Sequence, residues 1–189
     1  NANLTFTAGT NTLNLATGGL LKSGNFGNTI GASADNGRLT SGGTAGGVTS
    51  LYVYNNENTL TIHSRIIDNG VGQTRLVLSG NSTINLTAPN TYTGGSVFNS
   101  ATTNLFGGAN QTIPAGGVTI NNATVTMIAG SPNQINNANA ITINGGGVLN
   151  VWGNRSQDGL LTFGNSGGAG NPTYRTQSVT SNNSTTATN

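Results

Sequence analysis

Val118-Thr119-Ile120-Asn121 recurs as Ile141-Thr142-Ile143-Asn144, 23 positions further on. On the same offset Val125-Thr126-Met127 falls opposite Val148-Leu149-Asn150. One step earlier Asn99-Ser100-Ala101-Thr102 matches Asn121-Asn122-Ala123-Thr124 at an offset of 22, and Leu105-Phe106 matches Met127-Ile128 at the same 22. Each copy holds two or three short runs with apolar residues at i and i+2 and Thr or Asn between them. That period of two turns one face inward and leaves a polar face in water. A step of about 20–23 residues carrying such runs is the size of one coil of a β-solenoid. A single coil has too few inward residues to bury them alone, whereas stacked coils bury them in one continuous column.

Working outward, the same kind of run appears at Leu4-Thr5-Phe6, Leu13-Asn14-Leu15, Leu51-Tyr52-Val53, Leu60-Thr61-Ile62, Leu76-Val77-Leu78 and Ile84-Asn85-Leu86. Gly, Asn and Ser separate the runs and supply corners with positive φ. No stretch has the i, i+3, i+4 spacing of a helix. Short alternating strands also suit a sandwich, but a sandwich needs no self-similarity at coil length, and its core carries more than the 5% aromatic residues present here. Hydrophobic residues make up 33% of the 189, enough for a thin core.

Charge narrows the function classes. Six Lys or Arg and four Asp or Glu give a net charge of +2. Lys22, Arg38, Arg65, Arg75, Arg155 and Arg175 are scattered along the chain, without the basic stripe that neutralises phosphates. No nucleic-acid partner is expected. There is no cysteine for a disulfide or thiolate metal site, and no apolar run approaches the ~20 residues of a membrane-spanning helix, so no membrane insertion is expected either. The chain opens on Asn1 without a signal peptide, as a mature form or a fragment would.

Residues 1–163 read as a β-helix whose N-terminal coils are irregular. Around Gly18-Gly19, Gly42-Gly43 and Gly46-Gly47 the strands are interrupted by loops, as in wider coils or excursions from the coil. Residues 164–189 read as an extended Gly/Asn/Ser/Thr-rich tail or linker. The alternative is a strand containing Tyr174 and Val179 that pairs with a neighbouring subunit.

Leu76-Val77-Leu78-Ser79-Gly80, followed by Asn90-Thr91-Tyr92-Thr93-Gly94-Gly95 and then Val97 to Leu105, resembles the bacterial autotransporter-associated β-strand repeat. In that family a Leu-x-Leu-Ser-Gly strand leads into Asn-Thr-Tyr-Thr-Gly-Gly-Thr and a Val-Asn-x-Gly-Thr-Leu strand. Ala101 stands here where the family has Gly. The strong motif covers about thirty residues, and weaker likeness extends over most of Leu4 to Phe163. The resemblance implies an all-β, right-handed parallel β-helix displayed outside the cell or at the bacterial cell surface. It also implies that Asn90, Thr91, Tyr92, Thr93, Gly94 and Gly95 are structural. In physical terms Gly94-Gly95 permits a tight corner, Tyr92 is expected to cover the coil's edge, and Asn90 to cap backbone groups at the turn.

Ionisable groups are sparse. The acids are Asp35, Glu57, Asp68 and Asp158, and the one histidine is His63. Glu57, His63, Arg65 and Asp68 form the one charged cluster in sequence, and alternation puts His63 and Arg65 on the outer surface near Glu57 or Asp68. The expected role is a solvated surface pair worth at most about 1 kcal/mol rather than a lyase site, so neither enzyme activity nor a cofactor or metal is expected. The calcium-binding Gly-Gly-x-Gly-x-Asp repeat is absent, and no Gly-Lys-Ser/Thr follows the Gly-rich stretches. Thr-x-Thr pairs at residues 5/7, 10/12, 59/61, 91/93 and 124/126 invite an ice-binding reading. On the 23-residue alignment, however, Thr124-Val125-Thr126 falls opposite Gly147-Val148-Leu149, which argues against a regular array. Inward Asn and Thr are expected to form ladders between coils.

Together these readings predict an extracellular structural protein that associates with itself end to end, or with adjacent repeats, as a scaffold or filament. The alternative is an adhesin that binds extracellular glycans through its polar face or through Tyr52, Tyr54 and Trp152, with His63 and Arg65 as further surface candidates.

Overall fold

The computed structural model describes residues 2–107, 112–128, 133–152, 157–166 and 168–177. Alternating apolar runs become short strands: β1 (Thr12–Leu15), β2 (Gly19–Lys22), β3 (Asn28–Ile30), β4 (Arg38–Ser41), β5 (Val48–Asn55) and β6 (Leu60–Ile62). They continue with β7 (Arg65–Ile66), β8 (Gln73–Gly80), β9 (Thr83–Leu86), β10 (Ser96–Asn99), β11 (Thr102–Leu105) and β12 (Val118–Asn121). The last are β13 (Thr124–Met127), β14 (Ile141–Ile143), β15 (Val148–Trp152), β16 (Leu161–Phe163) and β17 (Thr173–Gln177), and no helix occurs among the described residues.

Every pairing between them is parallel, and the strands stack into walls of a β-solenoid. The first wall runs β2-β5-β8-β10-β12-β14-β16 and the second β3-β6-β9-β11-β13-β15-β17. A third, β1-β4-β7, exists as strands only in the N-terminal coils. Beyond it the third side is carried by single contacts, such as the parallel bridge between Ile113 and Ile135.

Like stacks on like. Val53, Leu78, Phe98, Ile120 and Ile143 form one inward column of the first wall. Ile62, Leu86, Leu105 and Met127 form one in the second. Each buried Leu or Ile contributes about 1.5–3 kcal/mol relative to exposure. The columns work because the coil length between walls keeps the inward phase, and a slip of one residue would turn every side chain to the other face.

Coil length is uneven. From β8 to β15 the register steps by 19 to 24 residues, as from Ile84 to Thr103 and from Val125 to Leu149. In the N-terminal coils it is wider, with Gly19 opposite Tyr52 and Asn28 opposite Leu60. The irregular N-terminal third is therefore made of larger coils of the same solenoid.

Two expectations need revision. The offset between β13 and β15 is 24, not 23: Val125 lies opposite Leu149 and Thr126 opposite Asn150. The preceding strands keep 23, with Val118 opposite Ile141. The corner Asn144-Gly145-Gly146-Gly147 is one residue longer than Asn121-Asn122-Ala123, with Gly146 at φ 72° taking the turn. Leu149 and Val151 then face inward and Val148 outward. The segment from 164 onward also supplies a strand: β17 pairs with β15 of the same chain, Tyr174 opposite Leu149. Val179 lies outside the described residues.

Candidate functional site

The Asn90–Gly95 stretch sits where the third wall stops being strand. Asn90, 5% exposed, accepts a hydrogen bond from the Ile66 amide on Oδ1 at 2.8 Å and donates through Nδ2 to the Thr112 carbonyl at 2.6 Å. Ile66 lies one coil below and Thr112 one coil above. The side-chain amide thus makes the two bonds that a strand's own peptide would make in a parallel ladder. Asn139 also links coils higher up, with all its bonds to the coil below: it accepts from the Gly116 and Gly117 amides at 3.0 Å and donates to the Pro114 carbonyl at 2.8 Å.

Tyr92 does not cover the coil's edge, as expected from the motif. It is fully buried in the core, its hydroxyl hydrogen-bonded to Ser96 Oγ at 2.6 Å. Burial holds the phenol protonated by raising its pKa, slightly opposed by the Ser96 bond. Gly95 turns the corner at φ 88°, and a Cβ there would stand 2.5 Å from the Gly116 carbonyl oxygen. Asp68 fastens the same corner: Oδ1 accepts from the Thr74 and Thr93 amides at 2.7 and 2.9 Å, and Oδ2 from the Thr93 hydroxyl at 2.7 Å. Thr91 donates its amide to the Ile66 carbonyl at 2.9 Å.

The charged cluster read from the sequence does not assemble. Arg65 pairs with Asp35 rather than with Glu57 or Asp68, through Nε at 2.8 Å and a terminal nitrogen at 2.7 Å. Arg38, opposite Arg65 in the register, reaches the same carboxylate at 2.9 Å. One acid therefore bridges two stacked guanidiniums in a partly exposed fork–fork arrangement. The sequence hid this because Asp35 and Arg65 are a full coil apart. Half-buried His63 shares a 2.8 Å hydrogen bond between Nδ1 and Thr87 Oγ1, and burial lowers its pKa below 6.5. Glu57 is exposed, and its carbonyl accepts from Lys22 Nζ. Among the described residues no group of three His, Cys, Asp or Glu gathers as metal ligands do.

Trp152, at the end of β15, is half-buried and packs against the hydrophobic core. Tyr52 and Tyr54 are 54% and 41% exposed on the outer face of the first wall, beside Leu21 at 70%.

Polar links between coils lie inside the solenoid, where buried Thr40 shares a 3.0 Å hydrogen bond with Thr74 and the buried amides of Asn90 and Asn139 join coils, and also outside it as ladders. Asn121 donates to Asn99 at 2.8 Å and Asn144 to Asn121 at 2.6 Å. On the second wall Asn85 donates to Thr61, Asn104 to Asn85 and Asn150 to Thr126 at 3.1–3.3 Å. All sit at half-exposed positions of the outer face. No protein-family model, curated protein or solved structure matches the chain.

Proposed function

We propose that this chain is a structural β-solenoid of a bacterial surface or secreted protein, which extends by stacking end to end on further copies or on adjacent repeats. The observation that carries this reading is the state of the two ends. Because every strand is parallel, the outer edges of β2 and β16 are different surfaces, complementary to each other and not to themselves. A contact between them propagates as an open array instead of closing into a dimer. Apolar side chains stand exposed near both ends of the described coils. Leu4, Leu21 and Phe26 are 39%, 70% and 62% exposed around an open depression of about 450 Å³ at the N-terminal end, which Leu20, Ile30 and Leu60 also line. Among the described residues of the last coil, Leu160 and Phe163 are 73% and 52% exposed, and Phe163 stands in register with buried Ile143. Exposed strand edges beside exposed apolar side chains favour pairing with another chain.

The likeness of residues 76–105 to the autotransporter-associated repeat supports the extracellular setting, and the dispersal of Asp35, Asp68 and His63 into separate structural bonds supports a non-catalytic role. The test is electron microscopy of the native purified protein. Filaments with a layer line near the ~4.8 Å strand spacing support the reading. Discrete short rods at high concentration overturn self-assembly.

Tyr52 and Tyr54 favour a second reading, a glycan-binding adhesin, since adjacent exposed rings offer apolar faces with polar tips for sugars. Glycan-array binding that is lost in Tyr52→Ala and Tyr54→Ala would support it.

A further inference from the structure

The corrected register changes the meaning of the Thr-x-Thr pairs. With β13 and β15 offset by 24, Thr83, Thr102 and Thr124 stack in one outward column of the second wall, continued by Val148 and Thr173. Two residues along each strand a second outward column holds Thr29, Thr61, Asn85, Asn104, Thr126 and Asn150. Thr59, immediately before β6, begins the Thr59-x-Thr61 pair that belongs to the same pattern. The motif therefore recurs coil after coil as Thr-x-Thr or Thr-x-Asn, at residues 59/61, 83/85, 102/104 and 124/126. Strand geometry sets these groups about 4.8 Å apart between coils and about 6.7 Å apart along each strand.

The chemistry of the two columns differs in a useful way. The amide column is tied to itself by the bonds from Asn85, Asn104 and Asn150, which hold its side chains in one orientation. The hydroxyls of Thr83, Thr102 and Thr124 make no hydrogen bond within the described residues and face water beside their own methyl groups. From β6 to β15 neither column carries a formal charge or an aromatic ring; Arg175, on β17, is the first charge beyond them. Within these two columns there is thus no cationic anchor for a polyanion and no ring for a sugar to stack on; the rings of Phe106 and Trp152 stand at the next outward position of the wall. What it offers is a periodic, preoriented set of donors and acceptors interleaved with methyls. That set suits a ligand that is itself a lattice, because ordering water against fixed partners costs little entropy beyond what the solid has already given up.

We propose that the outer face of the second wall, from Thr59 and Thr61 to Val148 and Asn150, is an ice-binding surface. The inference is independent of end-to-end assembly, since the face lies along the side of the solenoid.

The test uses the purified full chain and ice alone as the probe, reading the shape of a single growing ice crystal and the rate of recrystallisation in a frozen film. Faceted crystals and suppressed recrystallisation are expected. Thr102→Lys should abolish both, and the near-isosteric pair Thr102→Val with Thr124→Val should weaken them while circular dichroism stays that of the parent. Thr142→Lys, on the outer face of the first wall, should leave them intact. Rounded, unfaceted growth with folded protein overturns the proposal, as does equal loss in Thr142→Lys or full activity in Thr102→Lys.

Discussion

Up to β7 the third side of the solenoid is a wall of strands, β1-β4-β7, closed by the Asp35 carboxylate lying between Arg38 and Arg65. From Asn90 onward that wall is irregular, and the buried amides of Asn90 and Asn139 make the coil-to-coil bonds in its place. The wide N-terminal coils have length enough for a third strand; the narrow ones, stepping by as few as 19 residues between β9 and β11, do not. An ion pair open to water is weakly stabilising, whereas a buried amide whose loss orphans two backbone groups is not easily replaced. The contrast teaches that the shorter coil concentrates its stability in a few buried polar side chains.

The sharpest way to break this picture is at Tyr92. Tyr92→Ala removes a fully buried ring and its bond to Ser96, and should lower unfolding free energy by about 3–5 kcal/mol in a denaturant titration. Asn90→Ala comes next, at about 2–4 kcal/mol, because the Ile66 amide and Thr112 carbonyl lose their partner inside the protein. Hydrogen exchange at the Ile66 amide should accelerate in that variant while the Arg38 amide, bonded to the Asn11 carbonyl, stays protected. Asp35→Asn should cost about 1 kcal/mol or less, since the pair is partly solvated, and the loss should shrink further in high salt. If Asp35→Asn proved more damaging than Asn90→Ala, the comparison between the two regions would be wrong.

The smallest effect expected is a pH dependence at His63. Burial lowers its folded pKa below 6.5, so the unfolded chain takes up a proton more readily. Its contribution to stability is complete above 6.5 and is lost as pH falls from there through the lowered folded value. A melting series between pH 8 and pH 5 (roughly spanning the imidazole range) should show this slope in the parent and lose it in His63→Gln.

What could be read from the chain was whatever is local. The alternation in Leu60-Thr61-Ile62 or Val118-Thr119-Ile120 specifies a strand and its inward face, and the recurrence at 22 and 23 residues specifies coils that stack. The motif residues Gly94 and Gly95 were legible as a corner for the same reason, since the need for positive φ shows in residue type. The apolar spacing of Leu149 and Val151 was a signal that the offset there is 24, but a matching strand one coil below drew the alignment to 23.

Tertiary structure alone decided which groups meet. Whether Arg65 finds Asp35 or Asp68, whether Tyr92 lies outside the coil or within it, and whether Thr83, Thr102 and Thr124 fall in one column all depend on the number of residues in each corner. Neighbours in a solenoid are one coil apart, 19 to 33 positions along the chain, and a single added residue such as that in Asn144-Gly145-Gly146-Gly147 reassigns every one of them downstream. The strand pattern is set by side-chain alternation within a few residues; the partners are set by the demand that each inward column stay inward, which only the stacked coils impose.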